Sequence, residues 1–324
     1  MRVKTENEIK CTKINILLFN EFSNLCLANA LEPLRAANFY SNQTVYEWTF
    51  YTLDGEPALS SSGIKLVSSG IFSPLTPCDR LFIISSYGYK TLASPLTYKL
   101  LRQCKNRIRS IIGFDTGSWL LAHAGLLENK RATIHWDVLD TFAETFLNID
   151  VIKKNYVLDD GIITCSGAMA SFDLALHLIE EDCGSSLKFD VAGLFTHSSV
   201  LAITPQAVKS TNRRLTTQAV MLMQNNLETP ISIKELCDQL GCNTKKLERA
   251  FKNTFDSTTG KIYRRMRLLL IRQLIENTDL PISEIAIRGG YENASSMTRA
   301  FVDEHGFTPS SLRKKPHEPI PEKI

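Results

Sequence analysis

Long apolar runs, paired cysteines and histidine clusters are all missing from this 324-residue sequence, and each absence excludes a class of protein. No apolar run approaches the ~20 residues of a membrane-spanning helix, so no membrane partner is predicted. The polar segment 1–13 lacks the apolar core of a secretion signal. None of the eight cysteines has Cys-x-x-Cys spacing with another, so no metal site and no cofactor are predicted. Scattered thiols without a secretion signal indicate a cytoplasmic protein.

Charge is nearly balanced over the whole chain but is unevenly distributed. The formal net charge is only +3, from 37 basic and 34 acidic residues. From Pro205 onward there are 19 Lys and Arg against 13 Asp and Glu, whereas the preceding residues carry 18 against 21. A basic C-terminal part attached to a slightly acidic body predicts a polyanionic partner for that part alone.

The first two thirds of the chain alternate between short apolar runs and amphipathic helical segments. Predicted strands are 14–19, 48–53, 81–85, 110–113, 131–135, 156–159 and 162–165, and predicted helices are 24–38, 92–104, 118–124, 138–146, 167–181 and 187–196. Buried apolar strands separated by helices are typical of an α/β fold with a mainly parallel sheet covered on both faces.

The last third contains two similar helix–turn–helix units. Apolar residues at helical spacing precede a glycine turn in each, with Ile282, Ile285, Ala286 and Ile287 forming the second stripe. Each unit ends in Arg-Ala-Phe, at 249–251 and 299–301, and the basic leucine-rich segment 263–275 connects them. The alternative is a helical bundle with a solvated basic face, which the matching turns and endings disfavour.

The second helix of each unit has features of a helix that enters a major groove. Asn243 or Thr244 is expected to cap the first of these helices, and Asn293 or Ser295 the second. Their outward residues are small or basic, as groove entry requires.

Residues from about 211 to 316 resemble the AraC-type DNA-binding domain. The resemblance is carried by Gly289-Gly290-Tyr291 followed by Phe301, and by the ending Gly306-Phe307-Thr308-Pro309-Ser310. It implies a transcription regulator, read here as an activator, with double-stranded DNA and, by family analogy, RNA polymerase as partners. Two units joined by a stiff helix would meet successive major grooves about 34 Å apart.

The same resemblance assigns the DNA contacts. Lys245, Glu248 and Arg249 share one helix face and are the predicted base readers of the first unit, with Ser295, Ser296 and Arg299 in the second and Lys246 and Lys252 as phosphate contacts. Because serine discriminates bases weakly, the second half-site is expected to be less specific. The alternative for Arg249 and Arg299 is an ion pair within the domain.

A strand leads directly into a helix at 111–118, Ile-Ile-Gly-Phe-Asp-Thr-Gly-Ser. Such an elbow holds one side chain at the carboxyl edge of the sheet, beside the N–H groups of the next helix. Here that side chain is Asp115 or Phe114.

Residues from about 13 to 195 look like a ThiJ/PfpI-type domain, the amidotransferase-like domain fused to AraC-type domains in GlxA-like regulators. The motifs are the elbow, the segments 122–127 and 131–136, the segment 30–38, and the run from Ser166-Gly167 to 173–179. This resemblance implies a flavodoxin-like parallel-sheet sandwich, followed by an all-α double helix–turn–helix domain.

Enzymes of that superfamily carry a cysteine nucleophile at the elbow and a histidine about one strand later. The corresponding positions are occupied here by Asp115 and His135, with Cys26 near the place of an acid on the first helix. A carboxylate is a far weaker nucleophile than a thiolate, so the site is interpreted as a binding pocket and the protein as a non-enzyme. The alternative is an amidase-like hydrolase that uses Cys26 or Cys165.

The predicted pocket combines a carboxylate with aromatic rings. Its predicted ligand-binding residues are Asp115, Thr116, His135, Trp136, Trp119, Tyr87 and Cys26. A carboxylate among rings suits an ammonium or guanidinium group. The elbow also looks like that of the GlxA-like regulators that respond to glycine betaine, carnitine or arginine, which implies a cationic or zwitterionic nitrogen compound as effector. The alternatives place Trp119, Trp136 and His135 in the core.

These patterns predict a ligand-sensing domain at 1–197, a linker at 198–212 and a DNA-binding domain at 213–324. A small-molecule effector would shift the population of the DNA-binding arrangement. Analogy with related regulators implies a homodimer. The remaining alternative is a ligand-independent DNA binder whose first domain only dimerises.

Overall fold

The computed structural model of the protein describes residues 10–41, 43–195 and 211–314, and side chains are not described at 211–214 and 314. The chain divides into two units, Met1–Leu194 and Phe195–Ile324. Most of the predicted linker at 198–212 lies outside the described residues. The domain boundaries at 197 and 213 therefore stay predictions.

The first unit is built on a six-stranded sheet. The strands of this unit are β1 (Thr12–Leu18), β2 (Tyr46–Tyr51), β3 (Ala58–Leu59), β4 (Lys65–Leu66), β5 (Arg80–Ser85), β6 (Ser110–Asp115), β7 (Arg131–Ala132), β8 (Asp150–Val151), β9 (Tyr156–Asp159) and β10 (Ile162–Cys165). The large sheet has the order β2-β1-β5-β6-β10-β9, and all its pairs are parallel except β10 with β9. The pairs β3-β4 and β7-β8 form two small sheets.

Helices connect the strands and make up the second unit. In the first unit they are α1 (Asn24–Ser41), α2 (Tyr89–Leu92), α3 (Pro95–Cys104), α4 (Gly117–His123), α5 (Leu139–Thr145), α6 (Ala168–Cys183) and α7 (Ser185–Phe195). In the second unit they are α8 (Thr211–Gln224), α9 (Ile233–Gln239), α10 (Thr244–Phe255), α11 (Thr259–Asn277), α12 (Ile282–Arg288), α13 (Ala294–His305) and α14 (Pro309–Lys314).

The central strands are buried on both faces, as a parallel sheet between two helical layers requires. One face of β5 packs Leu81 and Ile83 into a core with Leu120 and Leu121 of α4. The alternate residue Phe82 is also fully buried, on the opposite face of the strand. Helices α1 and α6 pack against each other. The predicted α/β flavodoxin-like class is therefore confirmed.

Two local predictions in the first unit were wrong for identifiable reasons. The predicted helix 92–104 is two helices, because Ser94 caps α3 by accepting a hydrogen bond from the Thr97 N–H and Pro95 occupies the first helical position. The predicted strand 131–135 ends at Ala132, and His135 instead begins a short 3-10 turn. This turn carries a candidate site residue away from the strand.

The second unit has the predicted double helix–turn–helix. Asn243 accepts a hydrogen bond from the Lys246 N–H and Asn293 one from the Ser296 N–H, so asparagine is the cap in both recognition helices. The connector α11 is longer than predicted because Thr258 caps it by accepting from the Lys261 N–H.

The apolar stripe of α12 is narrower than predicted. Ile285 and Ala286 are fully buried beside Met297 and Phe301, whereas Ile287 is 64% exposed. Ile287 lies two residues after Ile285 and therefore points to the opposite side of the helix. The turn that follows has a left-handed residue at Gly290, with φ 72°, but not at Gly289.

Candidate functional site

The elbow between β6 and α4 is a strained turn. Asp115 has φ 59°, a left-handed conformation that costs a non-glycine residue energy. A Cβ on Gly117 would lie 2.6 Å from the carbonyl oxygen of Ile83, and one on Gly113 would lie 2.9 Å from the Ser118 nitrogen. Glycines on both sides thus let the chain turn sharply and hold the Asp115 side chain at the carboxyl edge of the sheet.

The Asp115 carboxyl group is buried but not isolated. The residue is 5% exposed, and its Oδ2 accepts a 2.9 Å hydrogen bond from the Ser86 hydroxyl. Burial raises the pKa of Asp115, while the charge of His135 and the bond from Ser86 act in the opposite direction. A backbone hydrogen bond also joins the two residues, since the His135 N–H donates to the Asp115 carbonyl over 3.3 Å. Asp115 and His135 are therefore brought together as predicted.

The Thr116 hydroxyl supports the elbow from within. It donates to the Ser86 carbonyl over 2.8 Å and lies 3.1 Å from the Ser85 hydroxyl, and the residue is 4% exposed. These contacts tie α4 to the loop after β5. The hydroxyl that was predicted to contact a ligand is thus already engaged within the protein.

His135 packs against the start of α6. A Cβ on Gly167 would lie 3.0 Å from His135 Cδ2, so any side chain at position 167 would displace the ring. His135 Nδ1 accepts a hydrogen bond from the Asp137 N–H over 3.4 Å, which fixes the ring at the start of the 3-10 turn. His135 is half-buried and does not lie in the hydrophobic core.

The two thiols nearest the elbow are buried and protonated. Cys26 Sγ lies 3.2 Å from the Ser171 hydroxyl, and Cys165 Sγ lies 3.8 Å from the same oxygen. Burial, with the nearby Asp115 charge, raises the pKa of Cys26 well above its usual value, and burial raises that of Cys165 to about 12. Because the thiolate is the nucleophile, neither cysteine is suited to attack at neutral pH.

The predicted aromatic residues divide into two groups. Trp136 is 71% exposed with its ring 5.4 Å from that of His135, and Tyr87, next to Ser86, is 65% exposed. Trp119 is instead 4% exposed and packs in the core, 4.9 Å from the Tyr89 ring. The prediction of Trp119 as a ligand contact is therefore corrected to a core position, while Trp136 is a surface residue beside His135.

Four residues around the elbow were not predicted from the sequence as part of the candidate site. Two are polar, Ser86 and Ser171, and two are exposed and apolar, Met169 and Leu25. Ser86 follows β5, the strand that neighbours the elbow strand, and this position at the carboxyl edge could have identified it. Ser171 lies one turn into α6 and gave no separate signal. Met169 is 73% exposed and is joined to α1 through Asn29, whose Nδ2 donates to the Ala168 carbonyl, and Leu25 beside Cys26 is 55% exposed.

The two recognition helices, α10 and α13, match position by position with an offset of 50 residues. Both caps are asparagine, at 243 and 293, and both helices carry an arginine six residues later. Lys245, Lys246 and Arg249 are exposed, and within the described parts of the chain their side chains make no hydrogen bond or ion pair. These three cations are available to contact DNA.

Two predicted DNA contacts are engaged within the fold. The Glu248 carboxylate accepts a 3.2 Å hydrogen bond from the Thr259 N–H at the start of α11, so it caps the connector helix instead of extending freely. Lys252 forms a 2.5 Å ion pair with Asp256 at the end of α10. The base-reading role predicted for Glu248 would compete with this cap, which sequence spacing alone could not indicate.

The second recognition helix offers fewer free groups. Ser295 is exposed, but the Ser296 hydroxyl donates to the Asn293 carbonyl over 2.9 Å within the cap. Arg299 is exposed and pairs with no acid in the described residues, and the same holds for Arg249. The alternative of an ion pair within the domain is therefore not realised for either arginine.

Comparison with known proteins identifies the family. Residues 12–181 match the DJ-1/PfpI family and residues 236–315 match a helix-turn-helix domain family. The chain is 32% identical over 306 residues to the HTH-type transcriptional regulator CdhR of Pseudomonas aeruginosa, an alignment that covers 92% of this chain and 90% of CdhR. The chain belongs to the GlxA-type HTH transcriptional regulators. GlxA of Rhizobium meliloti is itself 29% identical over 313 residues, with 94% of this chain and 96% of GlxA covered.

Other relatives of this GlxA-type regulator match only part of it. Isonitrile hydratase of Pseudomonas putida is 30% identical over 176 residues, covering 53% of this chain and 72% of the enzyme. A crystal structure of an AraC family transcriptional regulator from Pseudomonas putida matches with a TM-score of 0.53 and 23% identity, over 57% of this chain and 100% of that one. The crystal structure of a ThiJ/PfpI family protein from Pseudomonas syringae matches with a TM-score of 0.51 and 19% identity, over 75% of this chain and 93% of that one. These two structures support the fold.

The described residues of this GlxA-type regulator contain neither a candidate membrane span nor a candidate metal cluster. None of the helices described there combines the length and apolar character needed to cross a bilayer. The same residues contain no group of three or more His, Cys, Asp or Glu side chains that could hold a metal ion.

Proposed function

We propose that this DNA-binding regulator is an activator controlled by a small cationic or zwitterionic nitrogen metabolite, bound at the elbow of its first domain. The observation that carries the proposal is the buried Asp115 carboxyl group, held by a strained backbone whose carbonyl accepts from the N–H of His135, the residue before the exposed Trp136. A fold retains strain and a buried acid mainly where a site uses them. The betaine, carnitine and arginine classes all carry a suitable cation.

The surroundings of Asp115 favour a cation whose hydrogen-bonding demands are small. One carboxylate oxygen already accepts from Ser86, which leaves fewer acceptors for a ligand rich in N–H groups. Two exposed apolar side chains adjoin residues of this site along the chain: Trp136 follows His135, and Met169 lies two residues after Gly167, which packs against the His135 ring. Aromatic faces and methyl groups suit an alkylated ammonium. On this chemistry we rank a quaternary ammonium ahead of a guanidinium.

The chemistry of the site supports a receptor and not an enzyme. The elbow position holds a carboxylate, which is a weak nucleophile, and the neighbouring thiols have pKa values raised by burial. The partial match to an isonitrile hydratase makes a hydrolytic or hydration activity the rival function. Turnover that survives Asp115→Asn but is lost in Cys26→Ser or Cys165→Ser would establish that rival.

Binding of the effector can be tested with full-length protein by isothermal calorimetry. Glycine betaine, carnitine and arginine are titrated in parallel into the wild type, Asp115→Asn and Asp140→Asn. Asp140 is an exposed acid of α5 and controls for the loss of one carboxylate from the same unit. We expect at least one ligand to bind, and Asp115→Asn to weaken it about tenfold or more, because a charge-assisted contact is lost. Equal affinity in both variants would refute the site.

The remaining assignments follow from this function. An effector acts on transcription only if its affinity differs between two arrangements of the protein. We propose that the active form is a cytoplasmic homodimer that recruits RNA polymerase, and that 1–197, 198–212 and 213–324 are sensor, linker and DNA-binding domain. Eight free cysteines, all within the described residues, are compatible with the reducing cytoplasm. Limited proteolysis with mass spectrometry tests the boundaries, since cleavage should concentrate at 198–212.

A further inference from the structure

One face of the connector helix α11 holds the chain that precedes the first helix–turn–helix. Tyr263 and Arg267 are four residues apart on α11, so their side chains share that face. The Tyr263 hydroxyl donates to the Asn226 carbonyl over 2.7 Å and accepts from the Ile231 N–H over 3.3 Å. Both partners belong to the loop between α8 and α9. A single hydroxyl thus fixes this loop on the connector.

The same face holds the turn of the second helix–turn–helix. Arg267 donates from Nε to the Gly289 carbonyl and from Nη2 to the Gly290 carbonyl, each over 2.7 Å. Its guanidinium carbon lies 4.3 Å from the centroid of the Tyr291 ring. The planar fork of arginine matches two adjacent carbonyls, and its face stacks on the ring. Arg267 therefore fixes both the position and the rotation of the turn that leads to α13.

The loop and the turn also touch each other directly. A Cβ on Gly290 would lie 2.5 Å from Pro230 Cγ and 2.6 Å from the Leu227 carbonyl oxygen, so there is no space even for a methyl group. Gly290 also adopts φ 72°, which a side chain would oppose. The second turn is thus seated on the chain that leads into the first helix–turn–helix.

We propose that Tyr263, Arg267 and Gly290 form a spacing clamp, which fixes the distance and rotation between the recognition helices α10 and α13 and so sets the one half-site spacing that the protein accepts. Two linked DNA readers gain from each other only where their geometry permits simultaneous engagement. With a rigid junction, this gain in affinity depends steeply on the spacing between the half-sites. With a loose junction, a similar gain is obtained over several spacings. Tyr263 and Arg267 act here as positioning residues, because they reach other protein groups and not the bases.

The clamp is tested by spacer variation. Full-length protein selects its preferred duplex from a random pool, and duplexes are then made with one base pair inserted or deleted between the half-sites. Each change moves the second half-site by about 3.4 Å and about one tenth of a turn. The wild type is expected to lose about tenfold or more in affinity. Arg267→Lys keeps the charge, but lysine lacks the planar fork that spans both carbonyls. The affinity that this variant loses when one base pair is inserted or deleted should therefore be about threefold or less.

Arg264→Lys is the matched control, since Arg264 is an exposed arginine on the same helix and the change again preserves charge. Arg264→Lys should keep the wild-type spacing profile, meaning the dependence of affinity on the number of base pairs between the half-sites. Tyr263→Phe is the second test variant, because it removes the hydroxyl and keeps the ring, and it should relax the profile like Arg267→Lys. Thermal unfolding confirms that each variant is folded at the assay temperature. If Arg267→Lys does not fold, Tyr263→Phe alone decides. An unchanged profile, or an equal loss of affinity at every spacing, would overturn the clamp.

Discussion

At the scale of single residues, Asp115 combines a left-handed backbone with a buried acid, and each of these opposes folding. The strain at φ 59° is held by the flanking glycines, and the missing solvation of the carboxylate is only partly replaced by Ser86 and His135. Strain and a buried acid are typical of a functional position, and both lower stability. The Asp115 site should therefore be a place where stability can be gained at the expense of binding.

Asp115→Asn is expected to raise the stability of the protein above the acidic range. Burial raises the pKa of Asp115, so the folded state holds this proton more tightly than the unfolded state does, and stability falls as pH rises from the unfolded value through the folded one. Asparagine does not titrate, still accepts from Ser86 and tolerates a positive φ. Urea unfolding of both proteins from pH 4 to 8 should show an advantage of the variant that grows and then levels off.

Asp140→Asn should show no such pH-dependent advantage, because that acid is exposed. A wild type that is more stable than Asp115→Asn at neutral pH would contradict the assigned cause. It would mean that the carboxylate is stabilised by its partners more than burial destabilises it.

At the scale of elements, periodicity predicted most strands and helices because their buried faces repeat along the sequence. The predictions failed where a contact distant in sequence decides the outcome. Ile287 continued an apolar pattern but points to the side of α12 opposite Ile285. Glu248 lay on the reading face but caps α11 through Thr259. Trp119 belonged to the elbow in sequence and to the aromatic core in space. The spacing of residues along a helix identifies which side chains share a face, but the tertiary packing decides which groups that face contacts.

The internal repeat makes a prediction about α13. His305 occupies the position that Phe255 has in α10, and its ring packs 4.4 Å from that of Phe301. Its Nε2 is buried and has no hydrogen-bond partner among the described residues. Burial, reinforced by Arg272 and Arg265, lowers the pKa of His305 to about 4. The unfolded state thus binds the proton more readily, and stability is lost as pH falls from about 6.5 to about 4.

His305→Phe should remove this acid sensitivity, which amounts to about 2 kcal/mol over that range after allowance for partial exposure. Thermal unfolding of full-length protein at pH 7 and pH 4 measures it, from the transition of the second unit. The reciprocal change, Phe255→His, should introduce a similar sensitivity in the first recognition unit. Identical pH profiles for the wild type and His305→Phe would show that another group controls the acid response.

At the scale of the whole molecule, the sequence predicted the family through two separate sets of motifs, and the matches over 12–181 and 236–315 confirm both. The basic excess after Pro205 agrees with a DNA-binding second unit. The effector could not be predicted to the same depth, because its choice depends on which side chains converge around Asp115. Ser86 and His135 lie 29 residues before and 20 residues after it, on different loops.

The free cations of α10 predict how binding depends on salt and on sequence. Lys246→Ala should weaken all duplexes similarly and lower the slope of log affinity against log salt by about 1, because one phosphate contact is lost. Arg249→Ala and Arg299→Ala should each cost about 1–3 kcal/mol on the preferred duplex and relax discrimination at one base pair. Fluorescence anisotropy at several salt concentrations, with single-base variants of a selected duplex, separates the two effects. If Arg249→Ala weakened every duplex equally, Arg249 would be a phosphate contact and the assignment of base readers in α10 would have to shift to Lys245.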